Sequence, residues 1–191
     1  MRDQAIKTKV PFWNIVLANS HFAHAEPTRA SLLLEVYTTL AYGGRGLAYF
    51  TYFAPKVGNY RCAPVDQFGH ETPTWSLLQN ANLQVLKLAP TLLQLTSTRV
   101  YHFDKPVPPD SLVTSAGSPQ FLAGDFTHTD GTQYVMIVNK SLTSPAPVGL
   151  QLRTPAKQVM LISPYTGDPT PFEGEQVWLA PGAGALLKLQ R

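Results

Sequence analysis

The apolar positions follow two different rhythms along the chain. Residues 11–18 form a short, almost continuous apolar run, the pattern of a strand buried on both faces in a parallel sheet. A polar loop, 19–25, precedes Glu26-Pro27-Thr28, which predicts a helix start. Proline tolerates the first turn, and a carboxylate suits the positive end of the helix dipole. Leu33, Val36, Tyr37, Leu40 and Ala41 then recur at helical spacing until Gly43-Gly44 ends the pattern. Residues 46–53 predict a second strand, rich in aromatics, and 54–71 a long irregular loop. Thr72 and Pro73 predict the N-cap and first position of a second helix. Leu77, Leu78, Ala81, Val85 and Leu88 give that helix an apolar face, and Pro90 is expected to break or kink it. Strand, helix, strand, helix is the order of a parallel α/β architecture.

Beyond residue 97 the rhythm shortens. Residues 98–103, 120–126, 134–139, 148–152, 158–162, 176–179 and 185–189 all read as short strands. Turn clusters separate them, among them Asp130-Gly131, Thr166-Gly167-Asp168-Pro169 and Pro181-Gly182-Ala183-Gly184. This spacing predicts an antiparallel β-sandwich or a small barrel. The chain is therefore expected to divide into an α/β part, 1–97, and an all-β part, 98–191. Two parallel strands with two helices cannot close a sheet, since parallel strands are normally covered on both faces and open edges must be paired or hidden. Further strands are expected from the rest of a longer product or from another copy of the chain.

Composition narrows the classes of function. Of 191 residues, 44% are hydrophobic and only 14% charged, well below the roughly 25% of an average domain, which argues against a disordered charged tail. A formal net charge of +3, with no run of Lys or Arg, predicts no nucleic-acid partner. No apolar stretch approaches the roughly 18 residues of a membrane span, and no signal-peptide pattern opens the chain. The single cysteine excludes an internal disulfide framework. No cofactor is implied, because neither a Rossmann fingerprint nor a P-loop is present.

Several short motifs reduce to ordinary structure. Gly43-Gly44-Arg45-Gly46 follows a helix and precedes a strand, the reverse of a phosphate loop, and predicts a helix C-cap with a tight turn. His21-Phe22-Ala23-His24-Ala25-Glu26 lacks the helical His spacing of a zinc protease and reads as a polar loop. Ser20 beside His21 has no orienting acid, and adjacent residues rarely face each other. Cys62 has a neighbouring cation in Arg61 but no base, the pattern of an inert thiol. Asn139-Lys140-Ser141 matches a glycosylation sequon.

Longer stretches carry a resemblance. Leu40-Ala41-Tyr42-Gly43-Gly44-Arg45-Gly46-Leu47-Ala48-Tyr49-Phe50-Thr51-Tyr52 resembles the segment joining the seventh helix to the eighth strand of TIM-barrel glycoside hydrolases, most closely the family 42 β-galactosidases and their relatives. Pro64-Val65-Asp66-Gln67-Phe68-Gly69-His70-Glu71-Thr72-Pro73-Thr74-Trp75 continues the likeness through the loop into the last barrel helix. Val135-Met136-Ile137-Val138-Asn139-Lys140-Ser141 and Leu179-Ala180-Pro181-Gly182-Ala183-Gly184-Ala185-Leu186-Leu187 resemble the small β-domain such enzymes carry after the barrel. The resemblance implies a partial (β/α)8 barrel, strands seven (12–18) and eight (47–53) with their helices, followed by an antiparallel β-sandwich. It implies glycosidic-bond hydrolysis of a carbohydrate substrate. Loops 19–26 and 54–71 would lie at the catalytic mouth, where the C-terminal ends of barrel strands carry the chemistry.

Such hydrolases need two carboxyl groups. The resemblance implies one at the end of strand four, which is absent here, and one in strand seven after Phe12-Trp13. This chain reads Asn14-Ile15-Val16-Leu17-Ala18 there instead, so it is expected to be inactive alone. Glu26 and Asp66 are the carboxylates left in the two mouth loops. Glu26 reads either as a catalytic group or as a helix-start residue, and Asp66 either as cleft-facing or as a turn residue supporting Gly69. Aromatics cluster near the strand ends: Trp13, Tyr52, Phe53, Tyr60 and Trp75. Rings of this kind stack on sugar faces, with Asn19, Asn59, Arg61 and His70 available to sugar hydroxyls. Asn19, Tyr52, Tyr60, Arg61 and His70 are the candidate substrate-binding residues. For Tyr52, Tyr60 and Arg61 a structural role is an equal alternative, while Trp13, Tyr49 and Phe50 are expected in the core. Tyr134, Phe172 and Trp178 are expected in the sandwich core or the seam against the barrel. A non-catalytic carbohydrate-binding or structural module is the alternative for the whole chain.

Overall fold

The computed structural model describes residues 1–191. Helix α1 (Arg2–Thr8) leads into β1 (Trp13–Leu17), α2 (Arg29–Ala41), β2 (Gly46–Phe50) and α3 (Pro73–Leu92). Strands β3 (Leu95–His102), β4 (Val113–Ser115), β5 (Phe121–His128), β6 (Gln133–Asn139), β7 (Ala146–Pro147) and β8 (Gln151–Leu152) follow. The chain ends with β9 (Gln158–Ile162), β10 (Pro169–Pro171), a 3-10 turn (Gly174–Gln176), β11 (Trp178–Leu179) and β12 (Gly184–Gln190). Strands β1 and β2 pair in parallel, Trp13 opposite Gly46 and Leu17 opposite Phe50. The second half builds a six-stranded antiparallel sheet in the order β10-β9-β12-β6-β5-β3, with two small ribbons, β11-β7 and β4-β8. The fold is mixed helix and sheet, with mostly antiparallel pairing. No helix is long and apolar enough to cross a membrane.

The sheet is buried on both faces, which explains the unbroken apolar run 135–138. Leu122, Phe126, Tyr134, Met136, Val138 and Leu186 face one way, into a core completed by Leu32, Leu33, Val36, Tyr37 and Leu40 of α2. Phe121, Ala123, Val135, Ile137 and Leu187 alternate to the other face, under the ribbons. Val16 and Ala18 belong to the same core as α2, so this helix lies between the parallel pair and the antiparallel sheet. Its buried Tyr37 hydroxyl donates to Gln84 Oε1 of α3 at 2.7 Å. Behind it, Gly43 (φ +81°) takes the left-handed conformation that ends the helix, and the Gly43 and Gly44 N–H groups donate to the Leu40 and Thr39 carbonyls. The glycine cluster is the expected cap and turn. Arg45, next in line, donates to the carbonyls of Leu92 and Leu95, tying the end of α3 to the start of β2.

Local differences from the sequence reading have identifiable causes. Helix α2 begins at Arg29, not at Glu26, because Thr28 caps it: its hydroxyl accepts from the Ser31 N–H while Ser31 Oγ accepts from the Thr28 N–H. Pro90 does not break α3, which runs on to Leu92. It sits in the last turn beside the exposed Leu86 and Leu93, on the side of the helix where water can serve the carbonyl left without a donor. Strand β2 stops at Phe50, and β3 starts at Leu95 rather than 98. Of the run 148–152 only Gln151–Leu152 is strand, as β8, with β7 just before the run on the other ribbon, and 176–179 is the end of a 3-10 turn with a two-residue strand. Helix α1, which buries none of its residues, had no apolar periodicity to announce it. Trp13 and Phe50, expected in the core, are 64% and 40% exposed, and Trp178, expected in a core or seam, is 60% exposed. Tyr134 is buried, and Phe172 packs at the margin of the second core.

One buried carboxylate sets a pH dependence. Asp125 of β5, 2% exposed, accepts from Tyr101 Oη at 3.0 Å and from the Leu112 N–H at 2.9 Å, while the Tyr101 hydroxyl accepts from the Val113 N–H. The network pins the 110–113 segment to the sheet. Burial pushes the Asp125 carboxyl up to about 6 against these bonds. The folded state therefore holds this proton more tightly than the unfolded chain, whose carboxyl titrates near 3.9, and stability falls as pH rises from about 4 to about 6. The loss attributable to Asp125 should be about 3 kcal/mol. Urea unfolding at pH 4 to 7 of the parent and of Asp125→Asn checks this. The variant should lack that segment of the slope, and parallel profiles would refute it.

Candidate functional site

The residues that gather do so at the C-terminal ends of β1 and β2. The Ala18 N–H donates to the Phe50 carbonyl, the last rung of the parallel pair, and the chain then turns away into the loops 19–28 and 51–72. The second loop folds back over the first. Ser20 and Arg61 exchange two backbone hydrogen bonds at 2.8 Å each, and the Phe22 N–H donates to Asn59 Oδ1. Thr72, the cap of α3, closes the loop by donating its hydroxyl to the Ala63 carbonyl at 2.6 Å.

Asn19, Tyr60 and Arg61 are brought together here, around a residue the sequence reading set aside. The His21 ring stacks on Tyr60, with centroids 5.2 Å apart and planes at 16°, and meets Phe50 edge-on at 5.4 Å. Its Nδ1 lies 2.9 Å from Oδ1 of the fully buried Asn19. Ser20 does not pair with His21: its hydroxyl donates to the His24 carbonyl and accepts from Arg61 at 2.8 Å. Arg61 also donates to the Asn59 carbonyl.

The other candidates stand apart. Tyr52 accepts from Trp75 Nε1 at 3.0 Å, at the rim of a shallow depression of about 250 Å³ reaching along α3 to Leu83 and Leu86. Asp66 and His70 form their own turn. One Asp66 oxygen accepts from the Phe68 and His70 N–H groups at 2.8 Å, the other lies 3.3 Å from His70 Nδ1, and Gly69 (φ +91°) completes the reversal. These bonds, that from the His70 N–H foremost, hold the Asp66 carboxyl below the usual range. Glu26 is not part of the first turn of α2; it lies beside Cys62, whose thiol is pushed up by burial and then by this carboxylate. Neither carboxylate is bonded to His21, Asn19 or Tyr60.

Within β1 there is no carboxylate. Asn14 points to α2 and donates to Thr39 Oγ1 at 2.8 Å. The nearest acid below the strand end is Glu35 of α2, missed in the sequence because it sits at an unremarkable helical position. Its Oε2 accepts from the Leu17 N–H at 2.9 Å, a donor that β2 does not use, and burial raises its pKa despite that bond. The Asn139 sequon is also absorbed by the fold. Asn139 is fully buried, with both ends of its amide bonded to the chain.

What surrounds the parallel pair is the other half of the site. Trp13, Ile15, Ala48 and Phe50 all lie on one face and are all exposed, Ile15 by 66%. Leu83 and Leu86 of α3 and its C-cap Leu93 are an exposed apolar stripe, with Leu93 beside Leu47 and Tyr49 of β2. Single exposed apolar residues are normal, whereas a contiguous apolar face is not.

No protein-family model matches the chain, and no curated protein matches it. Among solved structures it is similar to a family 39 glycoside hydrolase from the gut symbiont Bacteroides cellulosilyticus WH2, at 13% identity and a TM-score of 0.48, over 95% of this chain and 34% of that one. A GH27 β-L-arabinopyranosidase from Geobacillus stearothermophilus aligns at 13% identity and 0.45, over 93% and 36%. The Gamma-CGTase of the alkalophilic Bacillus clarkii aligns at 14% and 0.49, over 99% and 28%. At such values the likeness is one of general arrangement alone, and the chain spans about a third of the length of these structures.

Proposed function

We propose that this chain is the C-terminal portion of a glycoside hydrolase of the TIM-barrel type, 1–97 contributing the last two βα units and 98–191 an accessory β-domain. The observation that carries the reading is the uncovered face of β1 and β2, with Trp13, Ile15, Ala48 and Phe50 turned outward. Residues with this alternation fill the interior of a closed barrel, while Val16 on the opposite face already packs on α2. The exposed stripe on α3 supports it, since a helix of a neighbouring βα unit would lie there. The partner is the rest of the barrel, and the polar cluster at the strand ends would face the carbohydrate. Hydrolysis needs a carboxyl pair about 5 to 10 Å apart across the scissile bond. With Asn14 in β1 and with Glu26 and Asp66 occupied in turns, that pair is completed from outside these residues.

The test is expression with and without the βα units encoded upstream. The longer product should hydrolyse aryl-glycosides and the 191-residue chain should not. Turnover by the shorter chain, or a stop codon immediately upstream, would refute the reading. The exposed Trp178 favours a second reading, a carbohydrate-binding module. Glycan binding by the chain that is lost in Trp178→Ala and indifferent to changes at the strand ends would decide for it.

A further inference from the structure

We propose that His21 is a sugar-binding residue of this cleft, held by Asn19 as the Nδ1–H tautomer so that Nε2 accepts a hydrogen bond from a carbohydrate hydroxyl. The inference rests on the carbohydrate reading above and adds to it a residue, an atom and a direction of bonding. The direction follows from a chain of donors. Thr51 Oγ1 donates its only proton to the Phe53 carbonyl at 2.8 Å, so towards Asn19 it can only accept. The group facing it at 3.3 Å is therefore the Asn19 amide nitrogen, and the amide oxygen is the end turned to His21. That oxygen has no proton to give, so the 2.9 Å contact requires the proton on His21 Nδ1.

In the neutral ring this leaves Nε2 as a lone-pair acceptor. No group of the chain bonds to it, and it is open to solvent. The ring cannot swing to satisfy itself elsewhere, because Tyr60 stacks on it and Phe50 meets it edge-on. Asn19 is equally fixed, being fully buried on the strand pair. An oriented acceptor in an aromatic wall matches a polyol with apolar ring faces: the sugar face packs beside Tyr60 and one hydroxyl donates to Nε2. Most polar groups around it are donors or are already bonded, so Nε2 supplies what a hydroxyl proton lacks. Asn19 acts through His21 and is a positioning residue.

Nitrogen-15 NMR of the His21 ring in the 191-residue chain tests both parts, with methyl β-D-galactopyranoside and methyl β-D-glucopyranoside as probes at high millimolar concentration. In the neutral ring, Nδ1 should resonate as a protonated and Nε2 as an unprotonated nitrogen. Adding sugar should shift Nε2 together with the Tyr60 ring. His21→Phe, which keeps the stacking, should weaken sugar binding about fivefold to tenfold, and His21→Gln, which restores an acceptor near the Nε2 position, should recover much of it. An unprotonated Nδ1 overturns the inference. So do shifts at Tyr60 and Arg61 without any at Nε2, an outcome that leaves the carbohydrate reading standing. Absence of any sugar-induced shift overturns the inference and counts against the carbohydrate reading as well.

Discussion

Asn139→Leu will remove a large part of the folding stability of this chain. Asn139 ends β6 with zero exposure, and its amide bonds the 120, 141–144 and 179–180 segments together beside their backbone hydrogen bonds. Nδ2 donates to the Ser144, Leu179 and Ala180 carbonyls at 2.9, 3.1 and 3.3 Å, while Oδ1 accepts from Gln120 Nε2 at 3.0 Å and the Ser141 N–H at 2.9 Å. Leucine fills the same volume and can bond to none of them. Each buried polar group left without a partner costs about 1–3 kcal/mol, so even with partial relief by water the loss should be about 4 kcal/mol. A domain of ordinary stability has about 5–15 kcal/mol in all. Asn139→Asp, retaining the acceptor side alone, should lose less than Leu but still turn a charge towards three carbonyls. Urea unfolding followed by tryptophan fluorescence gives the values, and a loss below about 1 kcal/mol for Leu would show that the hub is dispensable. The same geometry excludes a glycan on Asn139 in the folded chain, whatever its sequon suggests.

Which parts of this structure were legible beforehand follows from the range of the forces involved. Helices α2 and α3 were readable because their apolar faces repeat locally, and Thr72-Pro73 announces its helix by capping chemistry alone. The strand order of the antiparallel sheet was not readable. Nothing in the run 158–162 says that β9 joins β12 as well as its neighbour in sequence, β10. Trp13 and Phe50 were placed in a core on their chemistry, but burial is a property of what lies opposite, and here nothing does. Within the candidate site, Asn19, Tyr60 and Arg61 do meet, whereas Tyr52 pairs with Trp75, and Asp66 and His70 close a turn on themselves. His21 was set aside by testing it for zinc-ligand spacing and against its neighbour Ser20. A signal was available, since residues two apart in extended chain share a face, and Asn19-Ser20-His21 puts amide and imidazole side by side. Its stacking on Tyr60, thirty-nine residues on, had no local signal at all.

Gly124→Ala should cost about 3 kcal/mol and disturb the site from across the molecule. Gly124 lies in β5 between Leu122 and Phe126, which fill the core under α2. Its missing side chain is the space into which the end of α2 fits: a Cβ there would run into the Ala41 carbonyl oxygen and lie 2.9 Å from its carbon. Both sides of that clash are backbone, so no rotamer change relieves it, and the helix must lift from the sheet or the strand must bend. Overpacking of this kind costs about 1–3 kcal/mol and occasionally more. For a chain of this size the melting temperature should then fall by roughly 6–12 °C. Gly69→Ala is the control: nothing lies within 4 Å of its Cβ, so only the left-handed backbone at φ +91° is penalised, at about 1 kcal/mol. The effect on the site follows from what α2 carries. Thr39 holds Asn14, Glu35 holds the Leu17 N–H, and both anchor β1 two to five residues before Asn19. A shifted helix should therefore loosen the His21–Tyr60 stack in Gly124→Ala and leave it intact in Gly69→Ala, measured as ring chemical shifts of Tyr60. Equal melting temperatures for the two variants would mean that α2 is free to move off the sheet, and the rigid link between the antiparallel sheet and the strand ends would be lost with it.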